Sequence, residues 1–94
     1  MHAFSKDEIA SRLLALTGWF VEGGELTRTF TFKDFRAALA FVNRVGGQAE
    51  EAGHHPDIDI RYNRVRLRLV THDAGGLTAK DFDLAAAADK LAGD

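Results

Sequence analysis

Three histidines are the residues of this sequence best suited to chemistry: the adjacent pair His54 and His55, followed by Pro56, and His72 further along the chain. Imidazole ordinarily titrates near neutral pH, so it can both donate and accept a proton under physiological conditions. Proline biases the residue before it toward extended geometry. The pair is therefore predicted to lie on a fixed bend between two elements. His2, the fourth histidine, falls in a terminus that we expect to be loose.

Hydrophobic periodicity around the histidines predicts helix, hairpin, helix, hairpin and helix, in that order. The predicted helices cover residues 5–18, 33–52 and the segment capped by Thr78, and the predicted strands are 19–22, 25–32, 58–62 and 64–72. No βαβ alternation requires a parallel sheet. The pattern indicates an α+β fold: a four-stranded antiparallel sheet with three helices packed on one face, in the order α-β-β-α-β-β-α. Residues 1–94 are short enough to form a single domain.

Chain connectivity predicts where the histidines meet. If strands 58–62 and 64–72 run antiparallel, the residues near 55 and near 72 fall at the same edge of the sheet. His54, His55 and His72 should therefore converge, although the pair and His72 come from different segments.

Two further patterns carry expectations of their own. Gly46-Gly47 interrupts the long helix, and each glycine costs about 1 kcal/mol relative to alanine there. We expect close packing against another backbone to be the reason. Arg64, Arg66 and Arg68 alternate with apolar residues, and this favours a solvated or subunit-facing surface over an anion site.

Composition excludes several classes of function. The chain has 94 residues, a net charge of −2 and no cysteine, so it offers neither a thiolate site nor the positive field that nucleic acid requires. No apolar run approaches the roughly 20 residues of a membrane span, and the N-terminus lacks the apolar stretch of a signal peptide. We expect a cytoplasmic protein with no membrane or nucleic-acid partner.

The histidines could also serve a metal or a helix end. A metal site would need His54 or His55 with His72 and a carboxylate drawn from Glu50, Glu51 or Asp73. Neighbouring residues of an extended segment point to opposite faces, so the pair does not naturally chelate one ion. The sequence therefore predicts no metal. Alternatively, His54 and His55 could simply cap the C-terminus of the preceding helix.

The segment as a whole resembles the pterin-4a-carbinolamine dehydratases. The signature of that family falls on Glu50, His54-His55-Pro56, Tyr62, His72 and Asp81. Other stretches also look like family features and extend the similarity over nearly the whole chain: Gly18-Trp19, residues 30–35, Ala49-Glu50, Thr71-His72 and residues 75–78.

The resemblance implies dehydration of 4a-hydroxytetrahydropterin to quinonoid dihydropterin and water, the recycling step after an aromatic amino acid hydroxylase. It implies catalysis by His54, His55 and His72 with no metal or organic cofactor. We expect His54 and His72 to transfer protons and His55 to hold the pterin. Glu50 could orient an imidazole.

The supporting residues have competing roles. Asp81 could serve the site or complete a helix cap with Thr78, Trp19 could form a wall of the pterin pocket or belong to the core, and Pro56 holds the bend. The family's habit and the small core predict a homodimer or a dimer of dimers, with Phe41 and Val45 as a candidate contact.

Two alternative functions remain within the same fold. One is a protein-interaction or dimerisation module, and the other is a dehydratase-like protein acting on a related pterin, as in molybdenum-cofactor metabolism.

Overall fold

Three helices and four strands follow one another in the predicted order in a computed structural model that describes residues 2–93. The elements are α1 Lys6–Leu13, β1 Phe20–Glu22, β2 Glu25–Thr31, α2 Phe35–Ala52, β3 Asp57–Arg61, β4 Arg64–Leu69, one turn of 3-10 helix at His72–Ala74, and α3 Ala79–Leu91. The α+β prediction is confirmed. Within residues 2–93, no helix is long and apolar enough to cross a membrane.

The four strands form one antiparallel sheet in the order β1-β2-β4-β3. In the β3–β4 hairpin Asp57 lies opposite Arg68, so the segments before β3 and after β4 leave the sheet at the same end of the hairpin, opposite its turn. The predicted last strand is too long. β4 ends at Leu69 because the chain then turns through the 3-10 segment, and Thr71 pairs with Gly76 in an isolated bridge.

The two faces of the sheet differ in chemistry. On one face Val65, Leu67 and Leu69 are at most 1% exposed and pack in a single core with α2 and α3. The strand period of two places the arginines of β4 on the opposite face, where all three lie across from threonines of β2. On the β3 side, Arg66 and Arg68 lie across from aspartates and Arg64 lies across from Arg61. Among residues 2–93 no helix covers this polar face, because all three helices contribute residues to the core on the apolar side.

The buried side of α2 differs from the sequence prediction. Phe41 and Val45, predicted as a contact between subunits, are fully buried, and the ring of Phe41 packs against Phe30 and Phe32. That prediction was wrong. Phe35 and Leu39 recur at helical spacing with the buried residues Ala38 and Val45, but they are 46% and 43% exposed. Periodicity identifies an apolar stripe on a helix, but it does not say which edge of a wide stripe faces the sheet.

The close packing expected at Gly46-Gly47 does not occur within one chain. A Cβ atom built on either glycine would meet no neighbouring atom within 4 Å. In the described part of the chain, no other backbone approaches α2 at these two residues, so that prediction was also wrong for the single chain.

Candidate active site

The end of α2 places the histidine pair. Gly53 adopts a left-handed conformation with φ of 63°, which glycine enters at little cost. The backbone N–H of His54 then donates to the carbonyl of Ala49 at 3.1 Å and closes the last turn of the helix. Pro56 stands directly before β3. The chain is therefore reversed between α2 and the sheet, and His54 and His55 lie on this bend.

His72 reaches the same region from the other strand of the hairpin. The N–H of Thr71 donates to the carbonyl of Gly76 at 3.1 Å, and this bond closes a small loop directly after β4. The 3-10 turn inside the loop carries His72 and ends at Gly75, whose φ is 74°. Two left-handed glycines, one after α2 and one after this turn, thus end the segments that carry the histidines.

His54, His55 and His72 line one cleft of about 260 Å³, as the antiparallel register predicts. We call it the histidine cleft. The other residues that line it are Gly53, Val70, Thr71, Asp73 and Lys80. The three histidines come from the two ends of one hairpin and line the same cleft, so one small ligand could contact all three.

His54 is held by a buried carboxylate. Its Nε2 lies 2.6 Å from Oδ1 of Asp81, whose side chain is fully buried, while the side chain of His54 is 11% exposed. Because a carboxylate only accepts hydrogen bonds, Nε2 carries the hydrogen and Nδ1 is the nitrogen available to a ligand. A histidine oriented by a carboxylate in this way has a fixed tautomer and a fixed ring plane.

Asp81 is itself fixed by two donors. Its Oδ2 accepts from the hydroxyl of Thr71 at 2.8 Å and from the backbone N–H of Thr78 at 2.9 Å. The hydroxyls of Thr71 and Thr78 are 2.8 Å apart, so Thr78 donates to Thr71 when Thr71 donates to Asp81. The bond from Thr78 completes the capping box of α3. Asp81 therefore both caps α3 and holds His54, the two roles between which the sequence could not choose.

His55 has a different environment. Its Nε2 contacts Oε2 of Glu50, and the two side chains are 63% and 77% exposed. Glu50 was expected to orient an imidazole, and the structure pairs it with His55. An exposed pair of this kind is screened by water, so it restrains the ring less than Asp81 restrains His54.

His72 is exposed and, within residues 2–93, its ring forms no hydrogen bond. Both of its nitrogens are thus available to a ligand. Lys80, which was not among the predicted site residues, adds a cation to the cleft. The sequence could have indicated Lys80, because this residue directly precedes the predicted site residue Asp81 in the first turn of α3.

Three residues of the sequence prediction lie elsewhere. Trp19 is 6% exposed in the core, where its Nε1 donates to Asp89 at 2.9 Å and its ring packs edge-on against Phe30. Tyr62 lies in the β3–β4 turn and is 66% exposed. Neither residue lines the histidine cleft, and neither does Pro56.

Metal ligation receives no support from the geometry. Among residues 2–93, no group of three or more histidine, aspartate or glutamate side chains is placed to hold an ion. The carboxylates that contact His54 and His55 bond to different imidazoles.

Comparison with known proteins decides the family. The family model described as pterin 4 alpha carbinolamine dehydratase matches residues 2–91. The chain belongs to this family. Among its relatives, a Chloroflexus aurantiacus protein named "Putative pterin-4-alpha-carbinolamine dehydratase" is 59% identical over 93 residues, covering 99% of this chain and all of that protein. A protein of the same name from Acidobacterium capsulatum is 63% identical over 83 residues, covering 88% of this chain and 90% of that one.

Solved structures of two pterin dehydratase relatives share the fold. A transcriptional coactivator/pterin dehydratase from Brucella melitensis superposes with a TM-score of 0.93 at 36% identity, covering 97% of this chain and 99% of that one. A pterin dehydratase-like protein identified as a RuBisCO assembly factor in the alpha-carboxysome gives a TM-score of 0.67 at 26% identity, covering 81% and 88% of the two chains. The fold is thus shared by a protein named for an enzyme and by one named for an assembly role.

Proposed function

We propose that this protein dehydrates 4a-hydroxytetrahydropterin to quinonoid dihydropterin and water by histidine acid–base catalysis. The observation that carries the proposal is the placement of His54, His55 and His72 around one cleft. Membership in the pterin 4 alpha carbinolamine dehydratase family supports a pterin as the ligand. The physiological setting that we propose is tetrahydropterin recycling after an aromatic amino acid hydroxylase.

The reaction needs two proton movements and no change of oxidation state. The C4a–oxygen bond breaks as the hydroxyl group takes up a proton and leaves as water. The ring nitrogen next to C4a loses a proton as its electrons form the new double bond. One acid and one base near neutrality suffice, and a well-placed group of this kind contributes about 10²–10⁴-fold in rate.

We assign the proton transfers to His54 and His72. His54 suits the role of base because Asp81 holds the hydrogen on Nε2 and leaves the lone pair of Nδ1 available. His72 suits the role of acid because both of its ring nitrogens are without a partner in residues 2–93. His55, paired with Glu50 at the exposed side of the cleft, is assigned to binding of the pterin.

The test is the rate of dehydration of enzymatically generated 4a-hydroxytetrahydropterin, followed by absorbance, for single histidine-to-alanine variants. We expect H54A and H72A to lower kcat by about 10²-fold or more, the contribution of one general acid or base. H55A should act mainly on KM. His2→Ala is the matched control, because His2 lies outside the histidine cleft.

The same assay separates catalysis from a purely structural role. A wild-type rate equal to the uncatalysed background would contradict the proposal and leave an interaction function, of the kind named for the RuBisCO assembly relative. A wild-type rate in both H54A and H72A would contradict the assignment of His54 as the base and His72 as the acid. Activity on a different pterin alone would support the histidine mechanism but contradict the proposed substrate.

We also propose that the protein associates into a homodimer or a dimer of dimers. The support is an apolar strip on α2, formed by the exposed side chains of Phe35 and Leu39 and the half-buried side chain of Val42, with Gly46 in the same row at helical spacing. Phe35 and Leu39 are neighbours one helical turn apart and both are exposed, and adjacent exposed apolar side chains of this kind are typical of interaction surfaces.

A further inference from the structure

The polar face of the sheet carries a second cavity, which no histidine lines. It has a volume of about 300 Å³ and is lined by Thr29, Asp59, Arg61, Arg64 and Arg66, residues that we call the arginine pocket. These side chains come from β2, β3 and β4, which are hydrogen-bonded neighbours. Arg66 and Val70, which lines the histidine cleft, are four residues apart, or roughly 13 Å along an extended chain at about 3.3 Å per residue, and the two cavities share no lining residue. The two cavities are thus separate.

Charge in the arginine pocket is unbalanced. Three guanidinium groups share one carboxylate, Asp59, so the pocket holds an excess of two positive charges in a chain whose net charge is −2. The Nε of Arg61 lies 3.4 Å from Oδ2 of Asp59. Within residues 2–93, Arg64 forms no ion pair. All five lining residues are exposed, so water screens their charges in part, and the guanidinium groups that remain side by side still repel one another.

The strand register makes the imbalance sharper. Arg61 lies directly opposite Arg64 in the β3–β4 ladder, and a like-charge pair in this arrangement destabilises a sheet. Arg66 is steadied by a hydrogen bond of 3.3 Å from its Nε to the hydroxyl of Thr29. The guanidinium groups therefore project from neighbouring strands of one sheet, and a bound anion would offset the repulsion between them.

The other end of β4 shows the contrast. Arg68 lies 3.3 Å from a carboxylate oxygen of Glu22 and 3.6 Å from one of Glu25. Two carboxylates thus neutralise Arg68 at one end of β4, whereas the three arginines at the other end share only Asp59. An extended acidic peptide laid along β4 would meet Glu22 and Glu25, so the charge pattern favours a compact anion confined to the arginine pocket.

We infer that the arginine pocket binds a small molecule bearing a phosphate group. A phosphate monoester carries about −1.5 to −2 charges near pH 7, which matches the excess of the pocket. Guanidinium groups bind phosphate through two parallel hydrogen bonds, and the hydroxyl of Thr29 adds a further polar group. The volume lies at the lower end of the range for small-molecule sites, which is about 300–1,000 Å³. This site is independent of the proposed dehydratase function.

The test is isothermal titration calorimetry, in which inorganic pyrophosphate is added to the full chain in a phosphate-free buffer of low ionic strength and the heat of binding is measured. We expect one saturable site per chain. Arg64→Gln should weaken binding by about tenfold or more, the change expected for the loss of one charge-assisted hydrogen bond. Asp59→Asn should tighten binding, because it removes the carboxylate that lines the pocket.

Arg12→Gln is the matched control, because Arg12 lies on α1 and does not line the arginine pocket. It should bind pyrophosphate as the wild type does. Absence of saturable binding to the wild type, or equal weakening in R64Q and R12Q, would overturn the inference. A hexaglutamate peptide that binds more tightly than pyrophosphate would also overturn it, in favour of an acidic protein surface. The opposite effect expected for D59N keeps the test decisive if R64Q folds poorly.

Discussion

At the scale of single residues, the two neighbouring imidazoles of the histidine cleft are held in unlike ways. His54 bonds to a carboxylate that is fully buried and that accepts two further hydrogen bonds, from Thr71 and Thr78. His55 bonds to Glu50, and both of these side chains are mostly exposed. A buried network of satisfied hydrogen bonds fixes geometry more firmly than an exposed pair. We therefore assign Asp81 the role of a positioning residue that acts through His54.

Asp81→Asn tests this role. An asparagine amide would donate to Nε2 of His54 and move the ring hydrogen to Nδ1, so the base would lose its lone pair at the available nitrogen. We expect kcat for dehydration to fall by about 10²-fold, the size of a general-base contribution. Steady-state kinetics over a range of pH, with circular dichroism to establish that the variant is folded, measures the effect.

Asp7→Asn is the control for this substitution, since Asp7 is an exposed aspartate on α1 that does not line the histidine cleft. It should retain the wild-type kcat. If D81N is folded and turns over as fast as the wild type, Asp81 is only a helix cap.

At the scale of elements, local motifs at the ends of the helices account for most of what positions the site. The capping box of α3 contains Asp81, and the glycine that ends α2 directs His54 toward it. α1 has a capping box of its own, in which the N–H of Ser5 donates to Glu8 at 2.7 Å. This bond, together with the hydroxyl of Ser5, lowers the pKa of Glu8. One element departs from this pattern: α2 carries two glycines with no packing requirement in the described part of the chain.

Gly47→Ala should stabilise the protein. Gly47 is exposed and has open space where the new Cβ would lie, so the change removes only the entropic cost of glycine in a helix. We expect the free energy of unfolding to rise by about 1 kcal/mol, measured by urea denaturation.

Gly46→Ala is the informative comparison, because Gly46 lies in the exposed apolar strip of α2. A smaller gain for G46A than for G47A would indicate that another copy of the chain packs there. A loss of stability in G47A would contradict the prediction, since the chain offers the added methyl group no obstacle.

At the scale of the whole molecule, two surfaces of the single chain are suited to binding a partner or a ligand. The apolar strip on α2 is exposed, and the polar face of the sheet carries unbalanced arginines at the end of β4. These surfaces belong to opposite sides of the sheet. Association of copies and binding of a phosphate-bearing ligand are therefore compatible with each other.

Leu39→Glu tests association through α2. A carboxylate at the centre of the strip would have to be desolvated in the interface, so we expect the assembly to fall apart into smaller species. Sedimentation velocity at micromolar concentration measures the change of mass. Leu14→Glu is the control, because Leu14 is an exposed leucine on another part of the surface. A wild-type protein that sediments as a monomer, or equal effects of both variants, would refute the proposed contact.

Particular residues show how far the sequence alone could predict the site. The antiparallel hairpin that brings His72 beside His54 and His55 followed from alternating apolar residues and connectivity, because the register of a hairpin is a local property. The capping pair Thr78 and Asp81 was likewise visible as a motif. The core position of Trp19 was not, because its partner Asp89 is 70 residues away. Lys80 was missed although its position directly before Asp81 was visible in the sequence, because the packing of α3 decides whether that side chain lines the cleft.

The sequence by itself determined the order of the elements and the motifs that cap them. It also determined that the three histidines meet at one end of the β3–β4 hairpin. Each depends on interactions between residues close in the chain or paired across one hairpin. Only the tertiary structure decided which carboxylate serves which imidazole, which edge of α2 is buried, and that three arginines face one aspartate. The physical reason is that these outcomes depend on the rotation of a helix about its axis and on contacts between distant segments, which packing of the core selects as a whole.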